Sequence, residues 1–432
     1  MSAAPELLRA TILHTPRNPF QTGNALAAHA DGALAISQGR ILAAGDYAAL
    51  RAAHPDAEVS DWRGSVILPG FIDTHVHFPQ ARILGGLGWP LLDWLRLHAL
   101  PEEVRMGDPP YARAVAGEFV RALARNGTTT ALVFGAHFGP ATECLFEAAR
   151  AAGLRIASGL VVSDRRLPEP LRQSPAEADR LSRHLIARYH GQGNLRYAVT
   201  PRFALSASEG MLEVSGALAR EYPDVLFQTH LNENCQEIAD VRAAFPWAAN
   251  YLSVYDRFGL VGPRSVFAHN VHPSDGELAR LAESGAAIAH CPSSNAMLGS
   301  GIFPMRRHLA AGVRFALGTD VGAGIGFSVL REALQCYMMQ RLLPDGFPLT
   351  PAHLLYLATA AGAEALGLSA ETGDFTPGKS ADLVRLEPAE GTPLAAAMAR
   401  AESPERLLAA LITQARARSV REVRVQGNVV AP

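Results

Sequence analysis

The sequence predicts an α/β protein, a (β/α)8 TIM barrel with a small β-sandwich-like domain assembled from both termini. Its central part alternates eight apolar strand-like segments with amphipathic helical segments. This alternation is typical of a parallel sheet, and eight repeats indicate that the sheet closes into a barrel. Both ends of the chain contain short strands and turns instead. His, Asp and Glu residues recur at the ends of the predicted strands, where such barrels carry their functional groups.

The two terminal segments, residues 1–66 and 371–432, are predicted to form one small β domain. An apolar hairpin surrounds Gly39, and the C-terminal segment has strand-like stretches at Ala381–Leu386 and Val420–Val430. Neither end has enough strands for a core of its own. We therefore expect the two ends to assemble together, with the barrel at residues 67–370 inserted between them.

The barrel strands are predicted from short apolar runs that are flanked by polar or turn residues. They are Ile67–Phe78, Thr128–Gly135, Arg155–Ser163, Arg196–Leu205, Leu226–Leu231, Ser265–His269, Ala286–His290 and Arg314–Thr319. Amphipathic helices are predicted between them at Tyr111–Arg125, Ala176–Tyr189, Glu209–Glu221 and Ser274–Ser284. A last helical segment, Pro351–Leu366, is expected to pack outside the barrel.

Composition indicates a soluble protein that acts on a small neutral molecule. The hydrophobic content is 48% and the formal net charge is −2, which gives no basic surface for nucleic acid or for an anionic membrane. The first residues lack a basic start followed by an apolar run, and no apolar window of 18 residues occurs. We expect a cytoplasmic location, with neither nucleic acid nor membrane as a partner.

Cysteine usage argues against a disulfide framework and against a cysteine-based zinc site. The four cysteines are widely separated, and none forms a Cys-x-x-Cys pair. We interpret all four as small buried hydrophobic residues. They are Cys144, Cys235, Cys291 and Cys336.

A metal site is predicted where the barrel strands end. His75 and His77 share one face of strand one, because side chains two apart on a strand point the same way. Strands five, six and eight end in His230, His269 and Asp320. Alone, His269 could be a hydrogen-bonded core residue and Asp320 a helix N-cap. Their coincidence at one barrel mouth favours a site for Zn²⁺ or Fe²⁺ with a position left for water.

The other histidines are not assigned to this site. His137, His272 and His290 lie near strand ends but are given no role. The rest are expected at the surface: His14, His29, His54, His98, His184, His190, His308 and His353.

The chain resembles the amidohydrolase superfamily over nearly its whole length. The resemblance is carried by Pro69-Gly70-Phe71-Ile72-Asp73-Thr74-His75-Val76-His77, by His230, His269 and Gly318-Thr319-Asp320, and by Pro377-Gly378-Lys379-Ser380-Ala381-Asp382-Leu383-Val384. It implies that His75, His77, His230 and Asp320 are metal ligands and that His269 holds the metal-bound water. Two-metal members use a carboxylated lysine from the middle of the barrel. The only lysine here is Lys379, far outside that region, so one metal is expected.

Within the superfamily, the chain is similar to the branch that deaminates guanine. The discriminating motifs are Phe78-Pro79-Gln80, Leu91-Leu92-Asp93-Trp94-Leu95 and Pro201-Arg202-Phe203, supported by Asn250–Asp256 and by Ala289–Asn295. The resemblance implies that Arg202 binds the guanine carbonyl oxygen, Gln80 a ring edge and Phe203 the base face. It also implies a homodimer. One departure is Asn232, at a position where the branch more often has a small residue.

The activity implied is hydrolytic deamination of guanine to xanthine and ammonia, as in purine catabolism. One Zn²⁺ per chain would lower the pKa of its water to about 7 and so supply the nucleophile, with Fe²⁺ as the other metal the ligands allow. Asp320 would take the proton of that water, which His269 holds. Glu233, three residues after His230, would donate a proton to the ring and then to the leaving amine.

Other interpretations remain open at the level of sequence. The substrate could be another heterocycle, such as 8-oxoguanine, a pterin, a triazine or an adenosine-like compound. The barrel could also be catalytically inactive and serve as a binding protein, although all the expected site residues are present. Arg202 could form a structural ion pair, and Phe203 could belong to the core. For Trp94 the core interpretation is preferred.

Overall fold

Eight parallel strands form the centre of the molecule in the computed structural model, which describes residues 5–84 and 87–430. The strands of both sheets are β1 Glu6–His14, β2 Ala27–Ser37, β3 Arg40–Asp46, β4 Glu58–Pro69, β5 Phe71–His77, β6 Thr128–Phe134, β7 Arg155–Gly159, β8 Val161–Val162, β9 Leu195–Pro201, β10 Leu226–Leu231, β11 Ser265–His269, β12 Ala287–His290, β13 Arg314–Leu317, β14 Leu383–Leu386, β15 Val420–Val425 and β16 Asn428–Val429.

The barrel strands follow the chain in the order β5-β6-β7-β9-β10-β11-β12-β13, and each pairs in parallel with the next. Backbone hydrogen bonds join the first strand to the segment after the last. The Asp320 N–H donates to the His75 carbonyl at 2.8 Å, and the His77 N–H donates to the Val321 carbonyl at 2.9 Å. These bonds draw the end of β13 to the end of β5, which confirms the predicted barrel.

Helices follow most barrel strands, and further helices lie in the connecting and terminal segments. They are α1 Tyr47–Ala53, α2 Leu91–Trp94, α3 Leu100–Val104, α4 Pro109–Arg125, α5 Gly139–Ala152, α6 Pro175–Tyr189, α7 Glu209–Glu221, α8 Cys235–Ala244, α9 Tyr251–Asp256, α10 Asp275–Ser284, α11 Pro292–Met297, α12 Met305–Ala311, α13 Val329–Leu342, α14 Pro351–Ala358, α15 Ala360–Ala365, α16 Pro393–Ala399 and α17 Pro404–Gln414. The four predicted amphipathic helices correspond to α4, α6, α7 and α10. Within the described ranges, no helix has both the length and the apolarity needed to cross a bilayer.

A second sheet of seven strands contains both termini, in the order β16-β15-β14-β4-β1-β2-β3. Strand β14 pairs antiparallel with β4, with Leu383 opposite Pro69, so C-terminal strands extend an N-terminal sheet. The predicted hairpin around Gly39 is the β2–β3 pair. The predicted fold class, a barrel with a small β domain built from both ends, is confirmed. The boundaries at residues 66/67 and 370/371 stay predictions.

The first predicted strand, Ile67–Phe78, is divided at Gly70, which corrects the sequence interpretation. Strand β4 ends at Pro69 in the terminal sheet, and β5 begins at Phe71 in the barrel. A Cβ on Gly70 would lie 2.2 Å from Thr129 Oγ1, so only glycine lets the chain pass this point. The Gly70 N–H donates to the Asp382 carbonyl at 3.0 Å. Strand β5 therefore starts from a fixed position, which sets where its two histidines lie.

Small and aliphatic side chains from most of the barrel strands form one buried cluster with residues of α15 and the following turn. Its members are Ile72, Leu132, Ala157, Ala198, Leu226, Val266, Ala268, Ala289, Ala363 and Leu366. This packing fills the barrel below the strand ends. The polar residues that follow on β5, β10 and β11 are thereby held at the carboxyl end, which is where barrels of this class bind their ligands.

Candidate active site

Three histidines and one aspartate converge at the carboxyl ends of the barrel strands. His75 Nε2 lies 3.2 Å from His77 Nε2, and His77 Nε2 lies 3.3 Å from His230 Nε2. Asp320 Oδ1 lies 3.2 Å from Nε2 of both His75 and His77. All four side chains are buried. The structure thus brings together the four residues that the sequence predicts as metal ligands.

The protonation states of these imidazoles fit a bound cation. The Arg202 carbonyl accepts a hydrogen bond from His230 Nδ1 at 2.6 Å, so the proton is on Nδ1 and the Nε2 lone pair faces the cluster. Burial lowers the pKa of His77 to about 4 and shifts the pKa of His230 in the same direction. Neutral nitrogens only 3.2–3.3 Å apart, beside a carboxylate, form a donor set that suits Zn²⁺ or Fe²⁺.

His269 lies next to the cluster with one nitrogen directed at it. Its Nδ1 is 2.9 Å from the amide oxygen of Asn295, which assigns the proton to Nδ1. Its Nε2 lies 3.4 Å from Glu233 Oε2 and 3.8 Å from Asp320 Oδ2, and it has no hydrogen-bond partner among the described residues. An acceptor nitrogen in this position can hold a water molecule beside the carboxylates. A second group, His75, Cys291 and Asp320, also has ligand-type atoms within 4.8 Å of one another.

Unusual backbone conformations occur where these strands end. Asn232, His269, Asn270 and Asp320 all have positive φ angles, between +46° and +73°. Non-glycine residues in this region are uncommon, and they cluster at functional sites because the surrounding structure must hold them there. The strand ends are therefore shaped to aim particular side chains, rather than to continue the sheet.

Asp73 fixes the position of Asp320, although sequence reasoning gave it no role. Its carboxylate is fully buried and accepts hydrogen bonds from the Thr319 N–H at 3.0 Å and the Thr319 hydroxyl at 2.5 Å. Burial raises the pKa of Asp73 to about 7, and these hydrogen bonds oppose the rise. Asp73 connects β5 to the segment that carries Asp320. The same side chain therefore helps to position the histidines of β5 and Asp320.

Glu233 lies in the cluster as a buried carboxyl group. Burial, together with the nearby Glu237 and Asp320 carboxylates, raises the pKa of Glu233 well above its ordinary value. Its backbone N–H donates to Glu237 Oε2 at 3.1 Å, and Glu237 belongs to the capping box that begins α8. Tyr251 donates to the other oxygen of Glu237 at 2.7 Å. The start of α8 thus anchors the Glu233 carboxyl group beside the His–Asp cluster.

A cavity opens above the cluster. Gln80, Arg202 and Phe203, the three predicted substrate contacts, line it together with the cluster and with apolar residues of the segment after β5. Trp94 belongs to an apolar core cluster, as predicted, yet it also lines this cavity. Its indole Nε1 has no hydrogen-bond partner among the described residues.

Glu103 and His137 are site residues that sequence reasoning missed. Glu103 Oε1 accepts hydrogen bonds from Arg202 at 2.7 Å and from the Gln80 amide at 2.8 Å, and all three side chains are buried. His137 Nδ1 lies 3.4 Å from Glu103 Oε2. The ion-pair interpretation of Arg202 is thus correct, and Arg202 lines the cavity as well. The only local signal for Glu103 was a pair of acidic residues within the apolar stretch Leu100–Val104.

The expected surface position is wrong for two histidines. His14 and His308 are buried. His308 packs against Phe303, with ring centroids 4.1 Å apart, and its Nε2 lies 2.9 Å from the Asn270 amide nitrogen. Asn270 follows His269, so His308 supports the end of β11 from outside the cluster.

Family comparison agrees with this arrangement. Residues 66–430 match the model of the Amidohydrolase family. The chain belongs to the amidohydrolase family. Residues 32–57 also match an imidazolonepropionase-like composite domain of bacteria. The match to the amidohydrolase family covers the whole barrel and the C-terminal strands of the second sheet.

Three relatives show where in the family the similarity is high. A probable guanine deaminase of Deinococcus radiodurans is 57% identical over 431 residues, covering 98% of both chains. The structure of E. coli guanine deaminase is 38% identical with a TM-score of 0.93, covering 99% of both chains. A guanine deaminase from C. acetobutylicum with guanine in its active site is 26% identical with a TM-score of 0.91, covering 99% of this chain and 100% of that one.

Because the four candidate ligand residues are neutral or anionic and face one another, we expect a cation to stabilise the fold. Chelator treatment should lower the melting temperature, and one equivalent of Zn²⁺ should restore it. The substitution His230→Asn should abolish the zinc-dependent shift. As a matched control, His184→Asn on the exposed surface of α6 should keep the full shift. A zinc-dependent shift of equal size in His230→Asn would contradict the assignment.

Proposed function

We propose that this protein is a guanine deaminase, which hydrolyses guanine to xanthine and ammonia. The observation that carries the proposal is the cavity that brings residues of the His–Asp cluster, the Glu233 carboxyl group and the wall formed by Gln80, Arg202 and Phe203 together. High similarity to guanine deaminases over almost the entire chain supports the same substrate. The reaction class is hydrolysis of a C–N bond in a cyclic amidine.

One divalent metal, Zn²⁺ or the alternative Fe²⁺, would be held by His75, His77, His230 and Asp320. When bound, the cation lowers the pKa of a water molecule to about 7 and so makes hydroxide accessible at neutral pH. In the two-metal members of the superfamily, a carboxylated lysine bridges the two metals. Lys379 instead pairs with Asp374 at 2.5 Å in the segment before β14, which supports a single metal.

Proton movement is proposed to depend on Glu233, Asp320 and His269. The raised pKa of Glu233 favours its protonated form, from which it would give a proton to the ring nitrogen beside the attacked carbon. Asp320 accepts the proton of the attacking water, and His269, 3.8 Å from Asp320 Oδ2, holds that water through Nε2. The proton held by Asp320 then passes through Glu233 to the amine, which leaves as ammonia, and the hydroxyl proton lost as the new carbonyl forms returns to Glu233. Each group acts from a buried position, where solvent cannot compete for the proton.

Guanine recognition is proposed to use the opposite wall of the cavity. Arg202 would donate to the carbonyl oxygen, Gln80 would bind a ring edge, and Phe203 would contact the face of the base. A guanine deaminase with a TM-score of 0.91 to this chain has guanine bound in its active site, which supports a purine in the same cavity. The homodimer and the cytoplasmic location stay predictions of the family resemblance.

The principal test is the reaction itself. Purified protein loaded with one equivalent of zinc should convert guanine to xanthine, followed by ultraviolet absorbance, with release of one ammonia per guanine. The expected stoichiometry follows from hydrolysis of a single exocyclic C–N bond. Guanine left intact while 8-oxoguanine, a pterin or a triazine is consumed would overturn the substrate and leave the reaction class standing. No turnover of any of these by the zinc-loaded protein would favour a binding protein.

Glu233→Gln tests the proton shuttle separately from the metal. The amide keeps the shape of the side chain but cannot deliver a proton, so kcat should fall by about 10²–10⁴-fold. Zinc content should be unchanged, because Glu233 is outside the ligand set. Glu364→Gln, on α15 and away from the cavity, is the control and should retain activity. Equal loss of activity and of zinc in Glu233→Gln would show that Glu233 supports the metal site instead.

A further inference from the structure

We propose that Glu103 is a positioning residue that sets the substrate selectivity of the cavity. Glu103 holds the N–H donors of Arg202 and Gln80 in one fixed arrangement. This arrangement pairs with a carbonyl oxygen on the purine and rejects a purine that has an amino group at that position. The inference deepens the proposed guanine deamination and rests on it. Glu103 does not itself line the cavity, so its action passes through Arg202 and Gln80, the two lining residues that it holds.

A single carboxylate oxygen connects the two recognition residues. Glu103 Oε1 accepts from Arg202 at 2.7 Å and from Gln80 Nε2 at 2.8 Å. Because both donors meet at one atom, the guanidinium and the amide have a fixed separation. Among the described residues, Arg202 makes no other side-chain hydrogen bond, so its remaining N–H groups are available to the cavity that it lines.

The orientation of the Gln80 amide is also determined. Its nitrogen donates to Glu103, and its oxygen accepts from the Gly322 N–H at 3.0 Å. A rotated amide would place oxygen against a carboxylate and nitrogen against an N–H donor, and would lose both hydrogen bonds in a buried environment. Gln80 therefore presents one fixed order of donor and acceptor to the substrate, and Glu103 imposes that order.

His137 lies behind Glu103 in a buried position, and Glu103 Oε2 has no hydrogen-bond partner among the described residues. His137 Nδ1 lies 3.4 Å from Glu103 Oε2, and His137 Nε2 lies 3.4 Å from the Ser163 hydroxyl. Arg202 is also tied through its carbonyl to His230 Nδ1 at 2.6 Å. Arg202 is thus bound at its guanidinium by Glu103 and at its carbonyl by His230. These two contacts fix the position of Arg202 relative to the His–Asp cluster.

The chemical consequence is a choice between purine edges. Arg202 has only donors, and a carbonyl oxygen satisfies one of them, whereas an amino group would place donor against donor. Sites that are built to pair a particular polar group reject an analogue that lacks it, because buried partners are then left unsatisfied. Glu103 increases this selectivity because it prevents Arg202 and Gln80 from rearranging around a purine that has an amino group in place of the carbonyl.

The test compares guanine with 2,6-diaminopurine, which carries an amino group in place of the carbonyl. For the zinc-loaded wild-type enzyme, the inhibition constant of 2,6-diaminopurine should exceed the KM for guanine by at least about 100-fold. Glu103→Asp withdraws the carboxylate by one methylene, so it cannot reach both donors. This variant should raise the KM for guanine more than it lowers kcat, and should reduce the selectivity ratio at least about 10-fold.

Two further variants separate positioning from general stability. Glu103→Gln keeps a carbonyl oxygen that can accept from both donors, so it should retain more selectivity than Glu103→Asp, and it provides a second measurement if one variant folds poorly. Glu102→Asp is the matched control, because Glu102 is buried on the same helix but bonds Tyr111 and Arg105. Its selectivity ratio should equal that of the wild type.

Two outcomes would overturn the inference: an unchanged ratio in Glu103→Asp, which includes an equal loss of affinity for both purines, or an equal reduction of the ratio in Glu103→Asp and in the Glu102→Asp control. Either of these, with wild-type turnover of guanine intact, would leave the proposed function standing. A wild-type enzyme that does not deaminate guanine would instead contradict the proposed function itself. A lowered ratio with unchanged zinc content supports the positioning role.

Discussion

Neutral imidazole nitrogens that face one another in a buried space need a positive charge between them, and the functional end of this molecule is arranged around that requirement. His75, His77 and His230 bring three such nitrogens to within 3.2–3.3 Å of their neighbours, and Asp320 adds a carboxylate. Separating these groups from water is unfavourable unless a cation compensates. The positive φ at Asp320 and the buried Asp73 show that the backbone is held in place to maintain this arrangement.

Features that one strand encodes locally could be predicted from the sequence. Strands β10 and β11 begin and end at the predicted residues. Each is a short segment with apolar residues that is followed directly by an asparagine. His75 and His77 share a face through the two-residue period of β5. The known order of strands in a barrel then places His230, His269 and Asp320 beside them, so the cluster was recognisable without coordinates.

Features that depend on contacts between distant segments could not be predicted. Glu103 is 99 residues from Arg202 and 23 from Gln80 along the chain, and nothing in its neighbourhood distinguishes it from Glu102. The division of the first strand at Gly70 depends on the side chain of Thr129 and the carbonyl of Asp382. In both cases a long-range partner, rather than local periodicity, decides the structure.

The central claim is that one metal binds to three imidazoles and one carboxylate. X-ray absorption spectroscopy of the protein with one equivalent of zinc tests it most directly. The alternative group of His75, Cys291 and Asp320 would contribute a sulfur ligand. We expect only nitrogen and oxygen neighbours, at about 2.0–2.2 Å, and no zinc–zinc scattering. A sulfur neighbour at about 2.3 Å, or a second metal nearby, would contradict the claim.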